Sequence, residues 1–328
     1  RRMTTIVASL AVAASMLGLA GLAALTLPSA HEQRDPSPIA YDEDEDPMSE
    51  AVAALLDTAS SLHGTIDTLT YEQRYEGQAY SKQAFIYVPA SYSPGTPANV
   101  LYLTHGWWGN AAGLADGVAP VVDELETSGE AAPTIVVFAT YYPDRSFATD
   151  DYEDDYALNR FFATSEIDTL MNAVETRYTT FAHGDTSDAS LRASRRHRAF
   201  GGFSMGATTT WDVFALRPQY FYGYMPMAGE SWIGREEDAD SAQIAQLVTA
   251  GAERAHYGPQ DFRVLASVGS LDPALGDMAP QLAQLRADYP DLMTDDSLQM
   301  WIDEGENHSM ASVSNQVAHD LPLLFPPA

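Results

Sequence analysis

A serine hydroxyl becomes a useful nucleophile when an imidazole takes its proton and a carboxylate holds that imidazole in one tautomer. Gly202-Phe203-Ser204-Met205-Gly206 sets a serine between glycines, after an apolar stretch at 197–203 and before a Thr-, Trp- and Phe-bearing stretch at 207–216. A strand, a turn tightened by glycine and a helix make a nucleophile elbow, which pushes the hydroxyl toward solvent. In such folds the carboxylate and the histidine follow in that chain order, each just past the carboxyl end of a strand. Asp272 follows the strand pattern 263–268, and His308 follows the pattern 298–302 on a loop before a final helix. Asp277 and Asp303 are rivals to Asp272, and any of the three could cap a helix instead. The chemistry such a set could do is acyl transfer through a serine ester.

An attacked carbonyl also needs donors for its developing negative charge, normally two backbone N–H groups. Met205, next to the serine, supplies one. The other is expected in the loop after an early strand, where His105-Gly106-Trp107 stands, which makes Trp107 the second donor. His105 is expected to hold that loop by hydrogen bonds. Trp108, Tyr141, Tyr142 and Trp232 fall in loops that should surround Ser204 and could line a slot for a flat acyl group by stacking. Trp211, seven residues along the helix from Ser204, reads as core.

These residues need a scaffold, and the patterning supplies one. Residues 65–92 read as a pair of strands. Buried strands follow at 99–104, 134–139, 197–203, 223–227, 263–268 and 298–302, and helices at 120–126, 166–178, 241–254, 278–288 and 312–323. Pro120 is placed in the first turn of its helix, where its missing N–H is harmless. The alternation is that of a doubly wound, mostly parallel α/β sheet, and with the elbow it specifies an α/β-hydrolase fold in a single domain over residues 64–328.

The chain has 328 residues, with 17 Lys+Arg against 46 Asp+Glu and a formal net charge of −29. That charge repels polyanions, which excludes nucleic acid as a partner. The absence of cysteine excludes disulfides, thiolate metal sites and a cysteine nucleophile. Arg1 and Arg2 precede an uncharged apolar run of 22 residues at 6–27, so residues 1–30 read as a signal peptide or a membrane anchor, with the remainder secreted or held outside the cytoplasmic membrane. Residues 31–63 read as an acidic spacer, with a charge block at 42–46, followed by a short helix near 49–62. The stretch 141–161 carries six acidic residues and reads as a solvated loop, with a metal site as the lesser alternative.

Beyond the elbow, the segments 201–206, 209–211, 224–232, 193–198 and 321–325 occur in an order that resembles the feruloyl esterases of carbohydrate esterase family 1, most of all the esterase domains attached to bacterial xylanases. The resemblance covers roughly residues 64–325. It implies a triad of Ser204, Asp272 and His308, no cofactor and no metal, and hydroxycinnamoyl or acetyl esters of plant polysaccharide as substrates. Two departures stand out. The family's oxyanion loop usually continues His-Gly with further glycines where Trp107 and Trp108 stand here, and its aromatic residue after the histidine is replaced by Ser309 and Met310. An acetyl esterase, another acyl hydrolase or acyltransferase, and a catalytically silent glycan-binding surface protein are the alternative expectations.

Overall fold

The computed structural model describes residues 47–327. The apolar run 6–27 and the charge block 42–46, read above as signal or anchor and as spacer, lie outside them. Helix α1 (Pro47–Ala59) leads into a long hairpin of β1 (Thr65–Tyr75) and β2 (Gln78–Val88). Glu76 and Gly77 both take positive φ, 48° and 83°, giving the two-residue turn whose twist matches that of the strands it joins. The chain then runs through β3 (Asn99–Thr104), α2 (Ala111–Thr127), β4 (Thr134–Ala139), α3 (Tyr156–Phe161), α4 (Ile167–Arg177), α5 (Asp188–Ala193) and β5 (Arg198–Phe203). It continues with α6 (Met205–Leu216), β6 (Gly223–Met227), α7 (Ser241–Arg254), β7 (Arg263–Gly269), α8 (Leu275–Asp288), β8 (Leu298–Asp303) and α9 (Met310–Leu324).

The strands form one eight-stranded sheet in the order β1-β2-β4-β3-β5-β6-β7-β8, antiparallel at β1/β2 and β2/β4 and parallel elsewhere. Every residue of β3 and β4 is buried, because helices cover both faces of the sheet. Alternate side chains divide the core. Leu101, Leu103, Val136, Phe138 and Met225 pack toward α1, α2 and α9, while Tyr102, Val137, Phe200 and Tyr224 pack toward α4, α6 and α7. Each such fully buried side chain contributes about 1.5–3 kcal/mol. From β3 the chain runs to β4 on one side and then crosses back to β5 on the other, and the crevice at the carboxyl ends of such a switch point is where α/β sheets bind ligands.

Three elements differ from the sequence pattern. Helix α2 begins at Ala111, capped by the Asn110 side chain, so Pro120 sits in mid-helix. Its side chain is exposed, and the small residues Ala111, Ala112, Ala115 and Ala119 drive the buried face. The 141–161 stretch is helical from Tyr156 onward, and a π-turn at Phe162–Glu166 joins α3 to α4. Helix α5, only six residues long, carried no readable period.

Candidate active site

Strand β5 ends at Phe203, and Ser204 takes φ 57° and ψ −115°, a conformation that costs a non-glycine residue about 1–3 kcal/mol. The surroundings hold it there. Its N–H donates to the Met227 carbonyl at 2.8 Å, and its own carbonyl accepts from Ala207 and Thr208 in the first turn of α6. A methyl group on Gly206 would lie 2.3 Å from the Thr104 carbonyl oxygen, and one on Gly202 would lie 2.5 Å from the Gly206 carbonyl. The helix start crosses β3 and β5 so closely that both positions require glycine, which explains the motif that flanks the serine.

Asp272 lies three residues past β7 and His308 five past β8. The Asp272 side chain is buried; its Oδ1 accepts the Ala274 N–H at 2.9 Å, and its Oδ2 stands 2.8 Å from His308 Nδ1. The two loops are tied by the Ser270 N–H to the Asp303 carbonyl, the Leu271 N–H to the Glu306 carbonyl, and the Gly305 N–H to Ser270 Oγ. The imidazole packs against the Phe203 ring at 4.4 Å, next to Ser204 in the chain. With Nδ1 turned to the carboxylate, Nε2 is the nitrogen left to exchange a proton. Asp303 instead accepts from Ser312 and Asn315 of α9, and Asp277 is exposed in the first turn of α8. The geometry thus pairs His308 with Asp272 and with neither rival.

Across from this pair, residues 106–109 form a tight turn closed by the Gly109 N–H on the Gly106 carbonyl at 3.0 Å. A methyl group on Gly106 would lie 3.1 Å from Ser204 Cβ, so this backbone passes directly beside the serine. Trp108 sits at φ 59°, a left-handed conformation that costs an ordinary residue about 1–2 kcal/mol. The segment after β4 offsets that cost. Arg145 donates to the Trp108 and Gly109 carbonyls at 2.9 and 3.0 Å and lies 4.8 Å over the Trp108 ring. The Trp108 N–H donates to Tyr142 Oη, and the indole N–H groups of Trp107 and Trp108 both reach the Thr149 carbonyl. Met205 occupies the N-terminus of α6, where backbone N–H groups and the helix dipole favour negative charge. From α3, Asn159 donates to the Met205 carbonyl and to Thr209 Oγ1.

The aromatic residues separate into two groups. Tyr141 and Tyr142 are buried beneath the turn, packed on His105 at 4.7 and 5.5 Å, and do not open onto a surface slot. Tyr142 donates its hydroxyl to Asp155, whose carboxyl is pushed up to about 6 by burial. Trp107, Tyr152 and Trp232 form a continuous line of rings with centroids 5.9 and 5.6 Å apart. Arg235 lies 4.0 Å over Trp232 and pairs with Glu153 at 2.7 Å, clasping the 152–155 segment to the loop after β6. Trp211 is core, its indole N–H on the Gly229 carbonyl. Tyr152, Arg145 and Asn159 escaped the sequence reading, and Asp155 was read only as one of six acidic residues of a solvated loop; the one arginine within the acidic stretch 144–155 was the available signal for Arg145. Among the described residues no group of three or more His, Asp or Glu side chains is arranged to hold a metal. Within the acidic stretch, Asp144 caps a 3₁₀ turn, Glu153 pairs with Arg235 and Asp155 accepts from Tyr142.

Residues 81–315 match the Esterase family, described as "Putative esterase". Over 261 residues the chain is 28% identical to endo-1,4-beta-xylanase Y of Acetivibrio thermocellus, covering 77% of this chain but only 23% of that much longer protein. Among solved structures it is similar to a mutant of the feruloyl esterase module from Clostridium thermocellum complexed with sinapinate, with TM-score 0.68, 28% identity, and coverage of 80% and 88% of the two chains. A ferulic acid esterase from Anaeromyces mucronatus, at TM-score 0.55, 19% identity and coverage of 78% and 90%, shares the fold. Fold, elbow and family match agree: this chain has an α/β-hydrolase-like fold and belongs to the Esterase family.

Proposed function

We propose that the chain is an exported serine esterase that releases hydroxycinnamoyl groups, feruloyl above all, from plant cell-wall polysaccharide. The observation that carries this reading is the Asp272–His308 pair, 2.8 Å apart, beside a serine held at positive φ at the end of β5. In the proposed reaction Ser204 Oγ attacks the ester carbonyl while His308 Nε2 takes its proton, and Asp272 steadies the imidazolium that results. The oxyanion forms against the Met205 and Trp107 N–H groups. His308 then returns the proton to the departing sugar oxygen, leaving an acyl serine. A water molecule, deprotonated by His308, repeats the attack, and the acid leaves as Ser204 regains its proton.

The acyl group would lie along Trp107 and Trp108, with Tyr152 completing the aromatic wall and the buried Trp232 backing Tyr152; planar phenylpropenoyl groups suit such surfaces. The sinapinate complex of the similar feruloyl esterase module and the xylanase relative support the substrate class. The support for export is the uncharged apolar run 6–27. The test is hydrolysis of methyl ferulate beside p-nitrophenyl acetate by the full chain. Ferulate turnover that weakens about tenfold or more in KM with Tyr152→Ala fits the loss of one stacked aromatic of ~1.5 kcal/mol. Acetate turnover alone would move the assignment to an acetyl esterase, and binding of xylan without turnover of either ester would favour a glycan-binding protein.

A further inference from the structure

Lys82 is the only lysine in the chain. It lies on β2 in step with Ala84 and Ile86, which face the core, and is itself 3% exposed. Its ammonium pairs at 2.5 Å with Glu166, at the end of the π-turn between α3 and α4, and Glu166 also accepts the Tyr71 hydroxyl at 2.7 Å. A buried ion pair is a poor source of stability, because the desolvation of two charges offsets most of their attraction. What this one does is orient a neighbour. Lys82 Nζ also donates to the Thr140 carbonyl at 2.8 Å, one residue past β4.

From Thr140 the chain of bonds reaches the oxyanion turn. Thr140 Oγ1 is 2.7 Å from His105 Nε2 and accepts the Tyr142 N–H at 3.2 Å, while His105 Nδ1 is 2.7 Å from the Gly106 carbonyl. A carbonyl can only accept, so Nδ1 carries the proton. Burial pushes His105 down to about 3 and keeps the ring neutral, so Nε2 has a lone pair and the Thr140 hydroxyl must donate to it. The Gly106 carbonyl also takes the Gly109 N–H, which uses both of its lone pairs. A trans peptide is planar, with its N–H opposed to its carbonyl, so fixing the Gly106 oxygen fixes the direction of the Trp107 N–H.

We propose that Lys82, Thr140 and His105 are positioning residues that aim the Trp107 N–H at the oxyanion. This rests on the esterase reading above, with Ser204 as the nucleophile. A misdirected donor weakens binding of the transition state and leaves binding of the substrate nearly untouched. The contribution therefore belongs in kcat.

The experiment measures kcat and KM for p-nitrophenyl acetate, and Ki for an aryl trifluoromethyl ketone that adds a serine to form a tetrahedral oxyanion, using the full chain. Thr140→Val keeps the side-chain shape and removes the hydroxyl. Expected is a kcat about 10- to 100-fold lower, below the ~10²–10³ of deleting a donor outright, with KM within about twofold. Ki should rise by the factor that kcat/KM falls, and Thr140→Ser should restore both to within about threefold. The double variant Lys82→Met with Glu166→Gln leaves no lone charge buried, and should show the same kcat loss while still unfolding cooperatively. Wild-type kcat in Thr140→Val, a loss confined to KM, or no recovery in Thr140→Ser overturns the inference while the esterase reading stands. A wild type that hydrolyses no ester overturns both.

Discussion

Asp272 and His308 stand on two neighbouring loops tied mainly by main-chain bonds, whereas the 106–109 turn is held by the side chains of His105, itself bonded to Thr140, of Tyr142 and of Arg145, and by the Thr149 carbonyl. On the first side position is set by strand register: β7 and β8 run parallel through Gly269 and Asp303, and their exit loops are already adjacent. On the second side a bulky tryptophan occupies a glycine conformation, and a buried polar network keeps it there. A register-built half tolerates loss of a side chain without moving, and a network-built half does not. Substitutions in the Asp272–His308 pair should therefore remove activity and spare geometry, while substitutions around the turn should lower activity and stability together.

The largest effect expected is from Asp272→Asn, which leaves the loops tied but presents His308 with the wrong hydrogen-bonding partner. Activity on p-nitrophenyl acetate should fall about 10⁴-fold, with little change in melting temperature. A melting temperature that drops steeply would erase the contrast between the halves. Next in size is Arg145→Met, which removes two bonds to the turn carbonyls and the cation over Trp108. About tenfold lower kcat together with about 1–3 kcal/mol lower stability is expected from steady-state kinetics and urea unfolding. An intact kcat would mean the turn does not need its clamp.

A third expectation concerns pH. Burial pushes Asp155 up to about 6 and Asp212 up to about 7, above the ~3.9 of an unfolded aspartate. Between pH 5 and 7 the folded chain therefore binds more protons than the unfolded one, and stability falls as pH rises. Repulsion at a net charge of −29 acts in the same direction. Thermal unfolding should give a higher midpoint at pH 5.5 than at pH 7.5, with a shallower dependence in Asp212→Asn; a midpoint that rises with pH contradicts this. The smallest effect is at the clasp. Arg235 and Glu153 are half exposed, so Arg235→Ala should alter stability by less than about 1 kcal/mol and KM for methyl ferulate by only a few-fold.

The same contrast governs what could be read in the sequence. The sheet was legible because strands buried on both faces are continuous apolar runs, and Gly202 and Gly206 mark the elbow because no other residue fits the crossing. Asp272 and His308 were legible from their places after strands. Lys82 and Thr140 are joined through Thr140's own carbonyl, Thr140 and His105 are 35 positions apart, and nothing in local pattern links them. Lys82 did carry one signal, a single lysine in step with core residues of a strand. Tyr141 and Tyr142 looked like slot-lining residues because they follow a strand, and burial beneath His105 is a tertiary fact that no spacing reveals. Pro120 suggested a helix start, but nine residues of alanine-rich sequence before it extend α2 back to its Asn110 cap.

The central claim is that Ser204 forms the acyl ester, and turnover of methyl ferulate by wild type and Ser204→Ala tests it most directly. The account predicts release of ferulate by the wild type and a loss of roughly 10⁴-fold or more in kcat for the variant, with the fold unchanged by circular dichroism. A Ser204→Ala protein that keeps wild-type turnover would contradict it.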